Sequence, residues 1–109
     1  MIYKIEVGTV FKKQAKRLIQ KFPSLKSELE TLISSLETDP TQGESLGNQC
    51  FKIRLAIFSK GKGKSGGARI ITQVRVTKFA VVLLSIYDKS EQADISDRQI
   101  KLLLSQLPD

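Results

Sequence analysis

Phe51 to Phe58 alternates apolar Phe51, Ile53, Leu55 and Ile57 with Lys52, Arg54, Ala56 and Phe58. That period is a strand's, so Lys52 and Arg54 share one face. In the next extended run, Ala68 to Val76, the same rule puts Arg69, Gln73 and Arg75 together. If the two runs pair through the segment between them, Arg54 and Arg69 stand close across the ladder with Lys52 beyond them. Such a cluster suits RNA cleavage by internal transfer: the 2'-hydroxyl loses a proton, the phosphorane is stabilised as its charge grows, and the 5'-oxygen is protonated as it leaves. A Lys crowded by Arg has its charged form disfavoured and becomes a base, while Arg forks hold the scissile phosphate. The same three residues can equally do no more than bind backbone phosphates.

The other reagents of enzyme chemistry are scarce. With no histidine, the chain lacks the usual neutral-pH base and the commonest metal ligand. Cys50 is the only cysteine, which excludes an internal disulfide framework. Glu91 and Asp94 lie near a helix start, where carboxylates support the turn as readily as they bind magnesium. The glycines at 61, 63, 66 and 67 do not have the spacing of a phosphate-binding loop that runs into a helix. Neither a cofactor nor a metal is expected.

Charge points to the partner. From Ser45 to Tyr87 there is no Asp or Glu but eight basic residues: Lys52, Arg54, Lys60, Lys62, Lys64, Arg69, Arg75 and Lys78. The net charge of +7 arises almost wholly in this block. Segregated charge builds a positive field whose natural partner is a polyanion, so nucleic acid leads and a face kept basic for solubility is the plain alternative. Lys60, Lys62, Lys64, Arg75 and Lys78 are the expected RNA-binding residues outside the central three.

The elements that must position these groups can be read from periodicity. A chain of 109 residues has room for a single domain over 1–109. Ile2 to Val7 alternates as a strand; Phe11, Ala15, Leu18, Ile19 and Phe22 then fall at helical spacing up to Pro23. Ser24 is placed to cap a second helix with the stripe Leu25, Leu29, Leu32, Ile33 and Leu36. Two amphipathic helices in so short a chain need a sheet to cover, hence a helical hairpin on a sheet. Phe79 to Tyr87 reads as a central strand joined to the one before by Thr77-Lys78, and Ser59 to Gly67 reads as a flexible basic loop. Ser96 and Gln99 form a capping box ahead of Ile100, Leu103, Leu104 and Leu107. The predicted class is α+β, order β-α-α-β-β-β-α, with a mostly antiparallel sheet. No apolar run approaches the roughly 20 residues that span a bilayer, and the start shows no leader pattern, so a cytoplasmic location is expected.

The stretches Phe51-Lys-Ile-Arg-Leu, Gly61-Lys-Gly-Lys-Ser-Gly-Gly-Ala-Arg-Ile-Ile-Thr-Gln-Val and Leu83-Leu-Ser-Ile-Tyr-Asp-Lys-Ser-Glu, with Asp94-Ile-Ser ahead of the last helix, resemble the RelE/HigB branch of the RelE/ParE toxin superfamily. The Gly-Lys-Gly-Lys-Xaa-Gly-Gly-Xaa-Arg loop and Tyr-Xaa-Lys-Xaa-Glu segment look most like the HigB-2 type. The resemblance implies a toxin of a type II toxin–antitoxin system, a metal-independent endoribonuclease that enters the A site of the 70S ribosome, cuts mRNA and inhibits translation. It also implies an antitoxin encoded by an adjacent gene. The family's basic pair falls on Lys52 and Arg54, and its phosphate-contacting Arg falls on Arg69, in agreement with the strand-face argument. Its later Arg matches Ser90, and its C-terminal Tyr matches roughly Ser96, so this part of the pattern does not carry over. Tyr87, Lys89 and Lys60 are candidates to substitute in space, and Tyr87, Lys89 and Ser90 are held as auxiliary positions. ParE-like inhibition of DNA gyrase and noncatalytic RNA binding are the alternatives, because one fold can serve several functions.

Overall fold

The computed structural model describes residues 2–61, 63 and 66–107, so the expected RNA contacts Lys62 and Lys64 lie outside the described residues. The alternating start forms β1 (Lys4–Val7), followed by α1 (Thr9–Lys21) and α2 (Leu25–Leu36). Gly8 joins β1 to α1 where the backbone runs tight against the sheet: a Cβ there would stand 2.8 Å from the Leu83 carbonyl oxygen. Ser24 does not cap α2 through a helix N–H as expected. Its own dihedrals are already helical, and its hydroxyl instead donates to Glu28 and accepts the Ser59 N–H at 2.9 Å.

A short strand β2 (Glu44–Gly47) precedes β3 (Cys50–Leu55), β4 (Ala68–Arg75), β5 (Ala80–Asp88) and α3 (Asp97–Ser105). The expected order holds around this addition. Glu-Ser-Leu-Gly has no apolar alternation to announce a strand, and it forms because Asn48 and Gln49 both take positive φ (53° and 61°) in a two-residue turn. That is the backbone which folds a hairpin back on itself. The extended run after Cys50 also ends sooner than its pattern suggests. At Phe58–Lys60 the chain enters a 3-10 turn that leaves Phe58 exposed.

The five strands lie in the order β1-β5-β4-β3-β2, with β1 parallel to β5 and the other pairs antiparallel. β5 is buried along its whole length, as a central strand covered on both faces must be. On one face α1 and α2 pack Phe11, Leu18, Leu25, Leu29 and Leu36 against Ile53, Ile70, Leu83 and Ile86. On the other, α3 lays Ile100, Leu103, Leu104 and Leu107 over Cys50, Ile71, Val82, Leu84 and Tyr87. The capping box is present, with Ser96 Oγ accepting the Gln99 N–H at 3.1 Å and Gln99 Oε1 accepting the Ser96 N–H at 2.9 Å. No described helix is long and apolar enough to cross a membrane.

Candidate active site

The site is built as a row across three strands. Arg54 on β3 is the register partner of Arg69 on β4, which is the partner of Tyr87 on β5. Neighbouring strands lie about 4.8 Å apart and register partners share a face, so these side chains crowd together on the side of the sheet that α3 covers. Lys52, two residues before Arg54, joins them. The expected juxtaposition of Lys52, Arg54 and Arg69 is therefore what the fold produces.

Tyr87 reaches this face through an irregularity. Ile71 pairs with Ser85 but Thr72 pairs with Leu83, which leaves Leu84 as an extra residue in β5. A bulge of one residue reverses the alternation beyond it. Val82 and Leu84 face α3, yet it is Tyr87 and not Ile86 that continues that face. The Tyr87 hydroxyl is buried and has no hydrogen-bond partner among the described residues. Burial pushes this phenol above its ordinary range, the Asp94 carboxylate adds to the rise, and Arg69 opposes it.

Lys52 Nζ donates to Asp94 Oδ1 at 3.3 Å, an ion pair linking β3 to the segment ahead of α3. Asp94 Oδ1 also accepts the Ile95 N–H at 2.8 Å, and these two contacts, the backbone one first, hold its carboxyl below the usual range. In sequence Asp94 looked like support for a helix start. The pairing with Lys52 across 42 positions has no local signal. Arg54 is exposed, whereas Arg69 is only 4% exposed and gives an Nη1 N–H to the Ala68 carbonyl at 3.2 Å.

Other expected site residues go elsewhere. Lys60, expected as an RNA-binding loop cation, turns inward: its Nζ contacts Asp88 Oδ1, donates to Ser90 Oγ at 2.6 Å and lies 5.7 Å from the centre of the Phe22 ring. Burial pushes the Asp88 carboxyl up, but Lys60 and the Ser90 N–H outweigh it, and the group lies below the usual range. Ser90 is thus a partner of the Lys60–Asp88 pair. Lys89 donates to the Ala93 carbonyl at 2.6 Å and bears on the charge of Asp94, which places it beside the site. Glu91 pairs with Arg17 at 2.8 Å and Lys21 at 3.5 Å, which ties this end of the segment to α1. Arg75 and Lys78 lie at the far end of the sheet, away from Lys52. No three His, Cys, Asp or Glu side chains gather as a metal site among the described residues.

Comparisons with known proteins give one family match and several structures of similar fold. A family model described as the RelE toxin of the RelE/RelB toxin–antitoxin system matches residues 8–106. The fold is similar to that of a double arginine-to-alanine mutant of E. coli toxin RelE in the free state, at 17% identity, covering 99% of this chain and 100% of that one, with a TM-score of 0.66. It is also similar to the isolated E. coli RelE toxin, at 21% identity, 96% and 99% coverage and a TM-score of 0.51. The intact E. coli RelBE toxin–antitoxin complex matches at 21% identity, with 79% of this chain and 95% of that chain covered and a TM-score of 0.50.

Proposed function

The chain belongs to the RelE toxin family, and from that premise we propose that it is a type II toxin that cuts mRNA in the ribosomal A site by metal-independent internal transfer. The observation that carries this reading is the Arg54–Arg69–Tyr87 row with Lys52 beside it. Like charges directly opposite on a ladder destabilise a sheet. A local rule broken in this way is a common mark of a site kept for function. Arg54 and Arg69 would hold the scissile phosphate and stabilise the phosphorane. Lys52 would take the 2'-hydroxyl proton once RNA has displaced Asp94 and the ammonium has released a proton to solvent, since only the neutral amine has a lone pair to offer. Tyr87, whose phenol is still protonated in the resting site, would pass its proton to the departing 5'-oxygen, with Lys89 in support.

With so few groups, the protein would depend on the A site to bend the strand for in-line attack. The Gly-Lys-Gly-Lys loop and the Tyr-Xaa-Lys-Xaa-Glu segment support the finer assignment to the HigB-2 type. The neighbouring gene would supply the antitoxin, and the site of action would be the cytoplasm. The test is growth on induction, followed by mapping of transcript ends with and without translating ribosomes. Growth arrest with cuts confined to translated message is expected. Rapid cutting of naked RNA, or arrest with intact transcripts and blocked gyrase, would overturn the reading.

A further inference from the structure

The bulge that turns Tyr87 into the site is held from outside the sheet. β1 pairs with β5 only as far as Val7 opposite Leu83, and the Leu83 carbonyl then accepts the Gly8 N–H at 2.9 Å as the chain leaves for α1. Beyond that point no described strand runs along this edge of β5. By alternation Ser85 would be the next residue to turn its backbone groups to the open edge. The extra residue Leu84 shifts the count, so Ile86 turns its N–H there instead. Gln14 of α1 meets it. Gln14 Oε1 accepts the Ile86 N–H at 3.0 Å and the Ser85 hydroxyl at 3.0 Å. Two donors that converge on one amide atom require the oxygen there, because the amide nitrogen accepts nothing.

Both donors belong to buried residues, and a buried N–H left without a partner is costly. The acceptor stands opposite Ile86, so it favours the register in which Leu84 is the extra residue. That register carries Tyr87, the next residue, onto the face of Arg54 and Arg69. The same stripe of α1 reaches the far end of the segment: Gln14, Arg17 and Lys21 stand at i, i+3 and i+7, and the last two pair with Glu91. Those ion pairs are exposed and contribute little, whereas Gln14 closes on buried backbone.

We propose that Gln14 is a positioning residue for the cleavage reaction: its side-chain carbonyl stands in for a neighbouring strand, fixes the bulge in β5 and so sets the Tyr87 phenol beside Arg69. The inference rests on the nuclease reading above and adds to it a group on the opposite face of the sheet, which acts through Tyr87 and not on RNA. The test compares Gln14→Leu, which keeps the bulk but loses the acceptor, with Gln14→Glu, which keeps an oxygen at the same reach. Each is made in a Tyr3→Phe background, where Tyr87 is the one tyrosine and an isotope-labelled tyrosine ring followed by NMR reports it alone. Gln14→Leu should shift or double the Tyr87 ring signals. It should also lower single-turnover cleavage at saturating ribosomes by about tenfold to a hundredfold, the cost of a misplaced reacting group. Ribosome affinity should hold, and Gln14→Glu should show the parental signals and the parental rate. If Gln14→Leu fails to fold, Gln14→Asn, whose oxygen stops short of Ile86, should still move the Tyr87 signals and slow cleavage.

Tyr87 signals that do not move, or a parental rate at saturation, would overturn the inference and leave Gln14 as a tie between α1 and the sheet. Equal losses in Gln14→Glu and Gln14→Leu would also overturn it, since the oxygen would then not matter. Failure of the nuclease reading looks different. The Tyr87 signals would follow Gln14 while no protein of the set, the parent included, cut translated message.

Discussion

Lys52 donates to Asp94 across 3.3 Å, and any RNA phosphate bound there must compete with that carboxylate. Asp94→Asn removes the charge but keeps an oxygen to accept the Ile95 N–H, so the turn ahead of α3 survives. It should tighten binding of a 2'-deoxy, uncleavable mRNA to toxin on ribosomes by about twofold to fivefold, the size of an exposed ion pair. Unchanged affinity would show that Asp94 does not compete. Lys52→Ala should lower single-turnover cleavage far more than it weakens ribosome association, because its role belongs to the transition state. Arg69 is buried, so Arg69→Lys, which keeps the charge but not the fork, separates phosphate recognition from packing. Tyr87→Phe should cost no stability, since it removes a buried hydroxyl that lacks a partner among the described residues. It should slow cleavage by about a hundredfold, the low end of a proton-transfer contribution. Cleavage at the parental rate would remove Tyr87 from the mechanism.

At the scale of elements, the 3-10 turn Phe58–Lys60 is clamped between α2 and the end of β5. Glu28 Oε2 accepts the Phe58 N–H at 2.8 Å from one side, and Asp88 receives Lys60 from the other. Breaking one partner of a buried pair leaves the other charge uncompensated, so Lys60→Ala should destabilise the protein by about 3–5 kcal/mol in urea unfolding. A loss of only a few tenths would mean that Lys60 is an ordinary surface lysine. Because the Asp88 carboxyl is held below its unfolded value, the stability it adds is present above the unfolded pKa and is lost as pH falls through the folded one. Asp88→Asn should therefore be less stable at neutral pH and lose less on acidification than the parent. Parallel stability curves for the two proteins would contradict this linkage.

Across the whole molecule, +7 of charge and a proposed cell-damaging activity call for a partner that covers apolar and basic surface at once. The groove between α1 and α2, floored by Phe11, Ala15, Leu29 and Ile33 and rimmed by Lys12, Lys16, Lys26 and Glu30, would suit an acidic amphipathic segment of the proposed antitoxin. Expressed with its neighbouring gene, the toxin should be recovered in a soluble complex and growth should resume. Charge reversal of Lys12 and Lys16 should weaken that complex and leave the isolated toxin harmful. A chain that is folded, abundant and harmless without any partner would end the toxin reading.

Much of this molecule was legible in one dimension. Period two placed Lys52 with Arg54 and Arg69 with Arg75, and period 3.6 marked the three helices, because those patterns record which side of an element meets water. The capping box of Ser96 and Gln99 needs only four residues and could be read outright. Tertiary structure alone decided the rest. β2 exists because a turn folds it against β3, and Tyr87 joins the site because the bulge at Leu84 reverses a face. Lys60 and Lys52 each found a carboxylate many positions away, Asp88 and Asp94. Local patterns carry burial, but ion pairs and strand irregularities depend on distances that arise only when remote segments meet.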